Sequence, residues 1–303
     1  MAAGNPKLRG RREPEPGLSH AAYRGVRLTA ADAAAGWRLS TEAGWNQTEG
    51  DWRFLLTAGS SFGFEDCEGT LVASATVLAH GQRIAWVGMV VVTASARRQG
   101  LATRLLAHAV RLGPARRLTL LLDATADGRP VYLRLGFRDI GNLARWRAEA
   151  PAATAGPEHS VKPIATVADL DRWAEWDAER FGVDRGALLR ALRASRPDLA
   201  LQILGNAGEW LGFCLGRAGR TATQIGPVVA ASEAAALALL GAALERVREP
   251  VLVDVMESHA GFERELAARG FRAERGFVRM ALNLPGGFGW PEGVYAAAGP
   301  EFG

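Results

Sequence analysis

Arg97, Arg98, Gln99 and Gly100 separate the apolar run "VVVTASA" from the amphipathic run "LATRLLAHAV". The first run reads as a strand and the second as a helix, so these residues form the turn that opens the helix. The first turn of a helix has N–H groups without acceptors and carries the positive end of the dipole, so an anion settles there. Consecutive N–H groups in the turn deepen that site into a nest. Gly100 removes the side chain where a phosphate must touch the backbone, and Ala102 keeps the next one small. Arg97 and Arg98 add charge and forked donors. A diphosphate is the expected guest. The GxxxxGK[ST] and GxGxxG patterns are absent, which excludes a Walker loop and a dinucleotide fingerprint. A plain helix cap flanked by exposed arginines is the alternative this pattern leaves open.

Other side chains offer less chemistry. Cys67 and Cys214 lie far apart, each in or beside a strand-like segment, where a free cysteine behaves as a small hydrophobe. The five histidines, His20, His80, His108, His159 and His259, form no HxH or HxxxH pair, so no metal is expected. The pI of 9.6 comes from 36 basic residues, of which only Lys7 and Lys162 are lysines. The arginines are interleaved with acids rather than clustered, which argues against a nucleic-acid partner. Apolar residues make up 48% and charged residues 22% of the 303, a globular composition. No long uncharged apolar run and no apolar leader is present, so neither a membrane span nor a secretory signal is expected. A cytoplasmic location follows as the expectation.

Elements that would position the turn can be read on either side of it. Val26–Leu28, "SSFGFE", "TLVASATVLA", "RIAWVGMVVV" and "RLTLLLD" have strand character, and "GFRDIG" and "ARWRA" read as two closing strands. Residues 30–43, 49–58, 100–112 and 130–135 have helical periodicity. The plan then repeats. "LRLGFRDIG" and "LAARGFRAERG" place Phe137 and Phe271 at an offset of 134, and Leu55 and Leu189 share that offset. Two matches far apart in sequence at one offset indicate a duplicated domain. The boundaries expected are an arm over 1–21, domains over 22–149 and 164–285, a linker over 150–163, and a tail over 286–303. The tail, with Trp290, Val294, Tyr295 and Phe302, is too apolar to be free. It is expected to dock in the groove between the halves and to matter more for activity than for stability.

"VVVTASARRQGLATRLL" resembles motif A of the GNAT superfamily of N-acyltransferases, Q/R-x-x-G-x-G/A, with Arg97, Gly100 and Ala102 at the marked positions. "VYLRLGF" is similar to a further segment of that family and puts Tyr132 where its usual general acid stands. "AGWNQTEGDW" and the duplication resemble a tandem bacterial subgroup, and the resemblance covers roughly Ala22 to Leu284. Ala94 stands where the family often has proline, and Thr125 where it often has asparagine.

The resemblance implies an α/β fold of two tandem GNAT-like domains. Each would be a mixed, mostly antiparallel sheet with flanking helices and a splayed parallel strand pair. Acetyl-CoA would be the cosubstrate. Val90 and Val92, with Val91 between them, would run along the pantetheine, and the N–H near Val90 would polarise the thioester oxygen. Arg97, Arg98, Gln99, Gly100, Leu101, Ala102 and Thr103 would surround the diphosphate, and Thr125 would border the pantetheine.

Tyr132 would protonate the departing thiolate; packing against Phe137 is its alternative. Trp45, Asn46 and Gln47 would border an amine acceptor, small molecule or peptide, or else serve as turn residues. Glu42, Glu65 and Asp66 are the nearby acids, each expected to be a solvated charge, and the base is unassigned. The second half, "GPVVAASEAAALALL", has no arginine or glycine at its turn, carries Glu233 there, and has Leu266 in place of Tyr132. One acetyl-CoA per chain is therefore expected, in a monomer or homodimer. A non-enzymatic acyl-CoA sensor is the competing reading.

Overall fold

The structure, a computed structural model, describes residues 12–115, 117–152, 161–284 and 293–303. By its contacts the chain divides into two compact units, residues 1–77 with 89–112, and residues 78–88 with 113–303.

In the first unit, β1 (Pro14–Ser19), β2 (Arg24–Leu28), β3 (Ser60–Glu65) and β4 (Leu71–His80) follow one another as antiparallel neighbours. The Met89–Val92 end of β5 (Ile84–Val92) lies beside β4. Two helices, α1 (Ala33–Glu42) and α2 (Glu49–Ala58), connect β2 to β3. The start of α2 is fixed by a reciprocal cap. Thr48 Oγ1 accepts from the Asp51 N–H, and the Asp51 carboxylate accepts from the Thr48 N–H. α3 (Leu101–Ala115) follows β5 and buries Leu101, Leu105, Leu106 and Ala109. That is the 3.6-residue stripe an amphipathic helix requires.

The arm expected over 1–21 is corrected at its end: Pro14–Ser19 is a strand. Three side chains of α3 hold it. Arg104 and Arg111 donate to the carbonyls of Ser19 and Gly17, and His108 lies 3.0 Å from a Glu15 oxygen. Arg12 also forms ion pairs with Asp32 and Glu65. Residues 1–11 lie outside the described residues.

The second unit contains β6 (Thr119–Ala124), α4 (Arg129–Arg134), β7 (Arg138–Ala148), β8 (Val161–Pro163), α5 (Val167–Phe181) and α6 (Gly186–Ser195). It continues through β9 (Leu201–Leu204), β10 (Trp210–Arg217), β11 (Thr223–Ala230), α7 (Glu233–Leu244), β12 (Val251–Met256) and α8 (Ala260–Ala268). It closes with β13 (Arg272–Leu282) and β14 (Val294–Ala296). β7 is one continuous strand where the sequence suggests two short ones. The linker also ends in structure, since Val161–Pro163 pairs with β9.

The duplication is visible in local geometry. Gly136 and Gly270 both have positive φ, at 91° and 86°. The N–H of Phe137 returns to the carbonyl of Tyr132, and that of Phe271 to Leu266, at 3.2 and 3.0 Å. Leu55 and Leu189, the other related pair, are both fully buried. The last strands are exchanged: β13 lies between β6 and β7, while β7 pairs with β12. That exchange is why the compact units do not follow the sequence halves.

Candidate functional site

A single 3₁₀ turn, Ala94–Ala96, connects β5 to the Arg97–Gly100 turn. Arg98 and Gly100 both have positive φ, 62° and 79°. A Cβ built on Gly100 would meet no atom within 4 Å. The turn therefore leaves open space at the start of a 15-residue helix with no acid in its first turn. Arg97 Nε donates to the Val92 carbonyl at 3.2 Å, and a His20 ring nitrogen lies 3.2 Å from the Gln99 carbonyl. Both contacts use carbonyls rather than the amides of the turn. Leu101 is buried as the first core residue of α3, while Ala102 is half-buried. The charge, the amides and the missing side chain fit a diphosphate. Val90 and Val92 are half-buried and Val91 is buried, as expected for a strand with one partly open face.

The three acids Glu42, Glu65 and Asp66 are all occupied. Glu42, at the end of α1, accepts from the Ala94 N–H at 2.7 Å and from the Thr93 hydroxyl at 2.6 Å. These bonds, with the Arg97 charge, hold its carboxyl below the ordinary carboxylate range. It is an anchor for the chain entering the Arg97–Gly100 turn, a role that sequence spacing does not reveal. Glu65 is buried rather than solvated, paired with Arg12 and Arg24. Asp66 accepts from the N–H groups of Glu68 and Thr70 and closes the β3–β4 turn.

Trp45, Asn46 and Gln47 lie between α1 and α2. Asn46 and Gln47 are buried, and the Gln47 side-chain oxygen has no hydrogen-bond partner among the described residues. The first unit also contains a cavity of about 1650 Å³ whose walls include His20, Arg38, Glu65 and Cys67. Cys67 is exposed, whereas burial pushes the Cys214 thiol up to about 12. Among the described residues no cluster of His, Cys, Asp or Glu is suited to a metal, and no helix is long and apolar enough to cross a membrane.

In the second unit, Tyr132 is half-buried on α4, its ring edge-on to Phe137 at 6.0 Å. Burial pushes its hydroxyl up to about 12. The Thr125 hydroxyl accepts from the Gly128 N–H at 3.3 Å and shapes the turn into α4. Both residues thus have the local packing that a structural role requires.

The two parallel strand pairs differ. β5 and β6 are in register over Ile84–Trp86 and Thr119–Leu121, and the ladder then stops although both strands continue. β11 and β12 are in register over Thr223–Ile225 and Val251–Val253, and then part to admit β14. Ala296 pairs with both Val228 and Val255, and Val294 with Val229. Gly226 is required there: its φ is 152°, and a Cβ would come within 2.0 Å of the Ala297 oxygen. The following helix, α7, is capped by Ser232 and carries Glu233 in its first turn, which disfavours an anion.

After β14 the chain stays largely buried through Gly303. Trp86 Nε1 donates to the Pro300 carbonyl, Arg217 pairs with Glu301, and a His80 ring nitrogen lies 2.7 Å from the Phe302 oxygen. Burial, assisted by Arg185, lowers the His80 pKa to about 4 from an ordinary value near 6.5. Between those values the unfolded chain binds more protons than the folded one. Stability should therefore fall as pH drops from 6.5 towards 4, by up to about 1.4 kcal/mol per pH unit. Urea midpoints measured across that window should show a shallower slope for His80→Gln than for the parent. Equal slopes would remove His80 as a source.

The pattern of the acetyltransferase (GNAT) family matches residues 31–137, and that of an acetyltransferase (GNAT) domain matches residues 174–287. The chain belongs to the GNAT superfamily, as a tandem member with two such domains. It is 23% identical over 248 residues to YitH, an uncharacterized N-acetyltransferase of Bacillus subtilis (strain 168), covering 78% of this chain and 83% of that one. A putative acetyltransferase from Pyrococcus horikoshii is similar in structure with a TM-score of 0.78 at 18% identity, over 96% of this chain and 99% of that one. A tandem GNAT protein from the clavulanic acid biosynthesis pathway is similar with a TM-score of 0.59 at 18% identity, over 86% and 98% of the two chains.

Proposed function

We propose that the chain is a cytoplasmic N-acetyltransferase that moves an acetyl group from acetyl-CoA to an amine by direct attack. The observation that carries this reading is the open, positive-φ turn at Gly100, on a helix start without an acid. Arg97 to Thr103 would hold the diphosphate, and Val90 to Val92 would run along the pantetheine with Thr125. Acetyl-CoA supplies an activated thioester; the protein supplies orientation, fixed N–H donors and a proton. Trp45, Asn46 and Gln47 would border a small-molecule or peptide amine. The N-terminal half, residues 22–149, would bind the cosubstrate, and residues 164–285 would have given up that role.

Tyr132 would give its proton to the departing thiolate. A hydroxyl at about 12 keeps that proton throughout the working range, so the rate should not decline below pH ~10 through its loss. CoA release measured with a panel of amines tests the activity. Tyr132→Phe should lower turnover about tenfold while CoA affinity is unchanged, and less with better leaving groups. Equal turnover would return Tyr132 to a packing role.

A further inference from the structure

β5 contains a residue that is hard to accommodate in a strand. Met89 has φ 50° and is buried. The left-handed region costs a residue with a side chain about 1–2 kcal/mol, and such a residue persists only where its surroundings fix it. A strand kinked in this way is locally taken off its ladder and re-aims the groups beyond the kink. The Met89 carbonyl, buried at the kink, needs a donor.

Ser74 supplies it. Its hydroxyl donates to the Met89 carbonyl at 2.9 Å, and Ser74 is itself fully buried in the middle of β4. Packing alone would not call for a hydroxyl there. Its neighbours in the same strand, Ala73 and Ala75, are equally buried without one. Thr76, two residues on and on the same face, has a buried hydroxyl with no partner among the described residues. The hydroxyl of Ser74 is thus matched to one carbonyl, and that carbonyl belongs to the residue before Val90.

We infer that Ser74 is a positioning residue for acyl transfer: by holding the Met89 carbonyl it fixes the kink in β5 and aims the Val90 N–H at the thioester oxygen. This rests on the proposed acetyl-CoA reading. Donors aimed at developing charge act through their fixed placement, so loosening the kink should act on the chemical step rather than on cofactor affinity.

The experiment compares Ser74→Ala and Ser74→Thr with the parent, using free CoA, acetyl-CoA labelled with ¹³C at the carbonyl, and the best amine found. Ser74→Ala should lower kcat about tenfold, leave the Kd for free CoA within twofold, and move the bound thioester carbonyl stretch towards its value in water. Ser74→Thr, which keeps the hydroxyl, should restore both the rate and the stretch. Should the alanine variant fail to fold, Ser74→Cys, a weak donor, gives the same spectroscopic reading. An unchanged kcat and stretch in a folded variant lacking the hydroxyl would overturn the inference. So would an equal loss of affinity for free CoA, which marks a merely structural role. A parent that binds acetyl-CoA but acetylates no amine would instead defeat the proposed activity, and the carbonyl stretch would still report on Ser74.

Discussion

Gly100→Val is expected to lower acetyl-CoA affinity at least a hundredfold, about 2.7 kcal/mol, while the chain stays folded. Two effects act together. At φ 79° a β-branched residue is strained, so the turn is pushed towards another conformation and its amides lose their common direction. If the turn holds, the valine side chain enters space where a Cβ meets none of the described atoms within 4 Å, and the diphosphate is kept from the backbone. Because no protein atom is struck, the cost falls on binding. Gly208→Val is a suitable control. That glycine has φ 83° and equally open surroundings, but it lies in the turn between β9 and β10, so its replacement should leave affinity unchanged. Calorimetry should show one equivalent bound by the parent, since the second half has Glu233 at its turn and β14 between its parted strands. Two equivalents, or undiminished affinity in the Gly100 variant, would refute this assignment.

Those features differ in how far the sequence discloses them. The Arg97–Gly100 turn is a local object: strand, polar turn, glycine and helix lie within a short stretch, and positive φ at Gly100 needs no distant partner. The duplication is also legible, because the turns at Gly136 and Gly270 are made by the same residues at the same offset. β1 is hidden because "PEPGLS" has the composition of a loop, with Gly17 at φ 75°. It becomes a strand through α3 side chains more than 80 residues away in sequence. The exchange of β7 and β13 leaves no local trace at all, since each strand has the same alternation whichever neighbour it meets. Glu42 is recognisable as an acid near the site, but its task depends on residues 93 and 94, which no periodicity connects to it. Ser74 is hidden for a similar reason. A small residue inside an apolar strand looks like packing until the carbonyl opposite is known.

Removal of residues 293–303 should destabilise the protein severely, and this reverses the expectation that the tail matters more for activity than for stability. The expected docking segment includes Trp290, which lies outside the described residues. Beyond it, residues 293–303 form a strand and a buried turn in the second unit. Val294, Ala296 and Ala298 are at most 1% exposed, and Tyr295 is 7% exposed with its ring stacked on His259 at 4.0 Å. Deletion would leave β11 and β12 parted, with unpaired backbone on both inner edges. It would also break the buried ion pair between Arg217 and Glu301, and removing one partner of a buried pair is expensive. A milder probe separates packing from pairing. Phe302 is 1% exposed, with the Arg217 guanidinium 5.3 Å from its ring centre, and Phe302→Ala should cost about 3–5 kcal/mol. Denaturant midpoints would measure both changes, with residual acetyl-CoA binding scored per folded molecule. A truncated chain that unfolds at the parent's midpoint would mean that β14 is an accessory strand and that the second cleft stands closed without it.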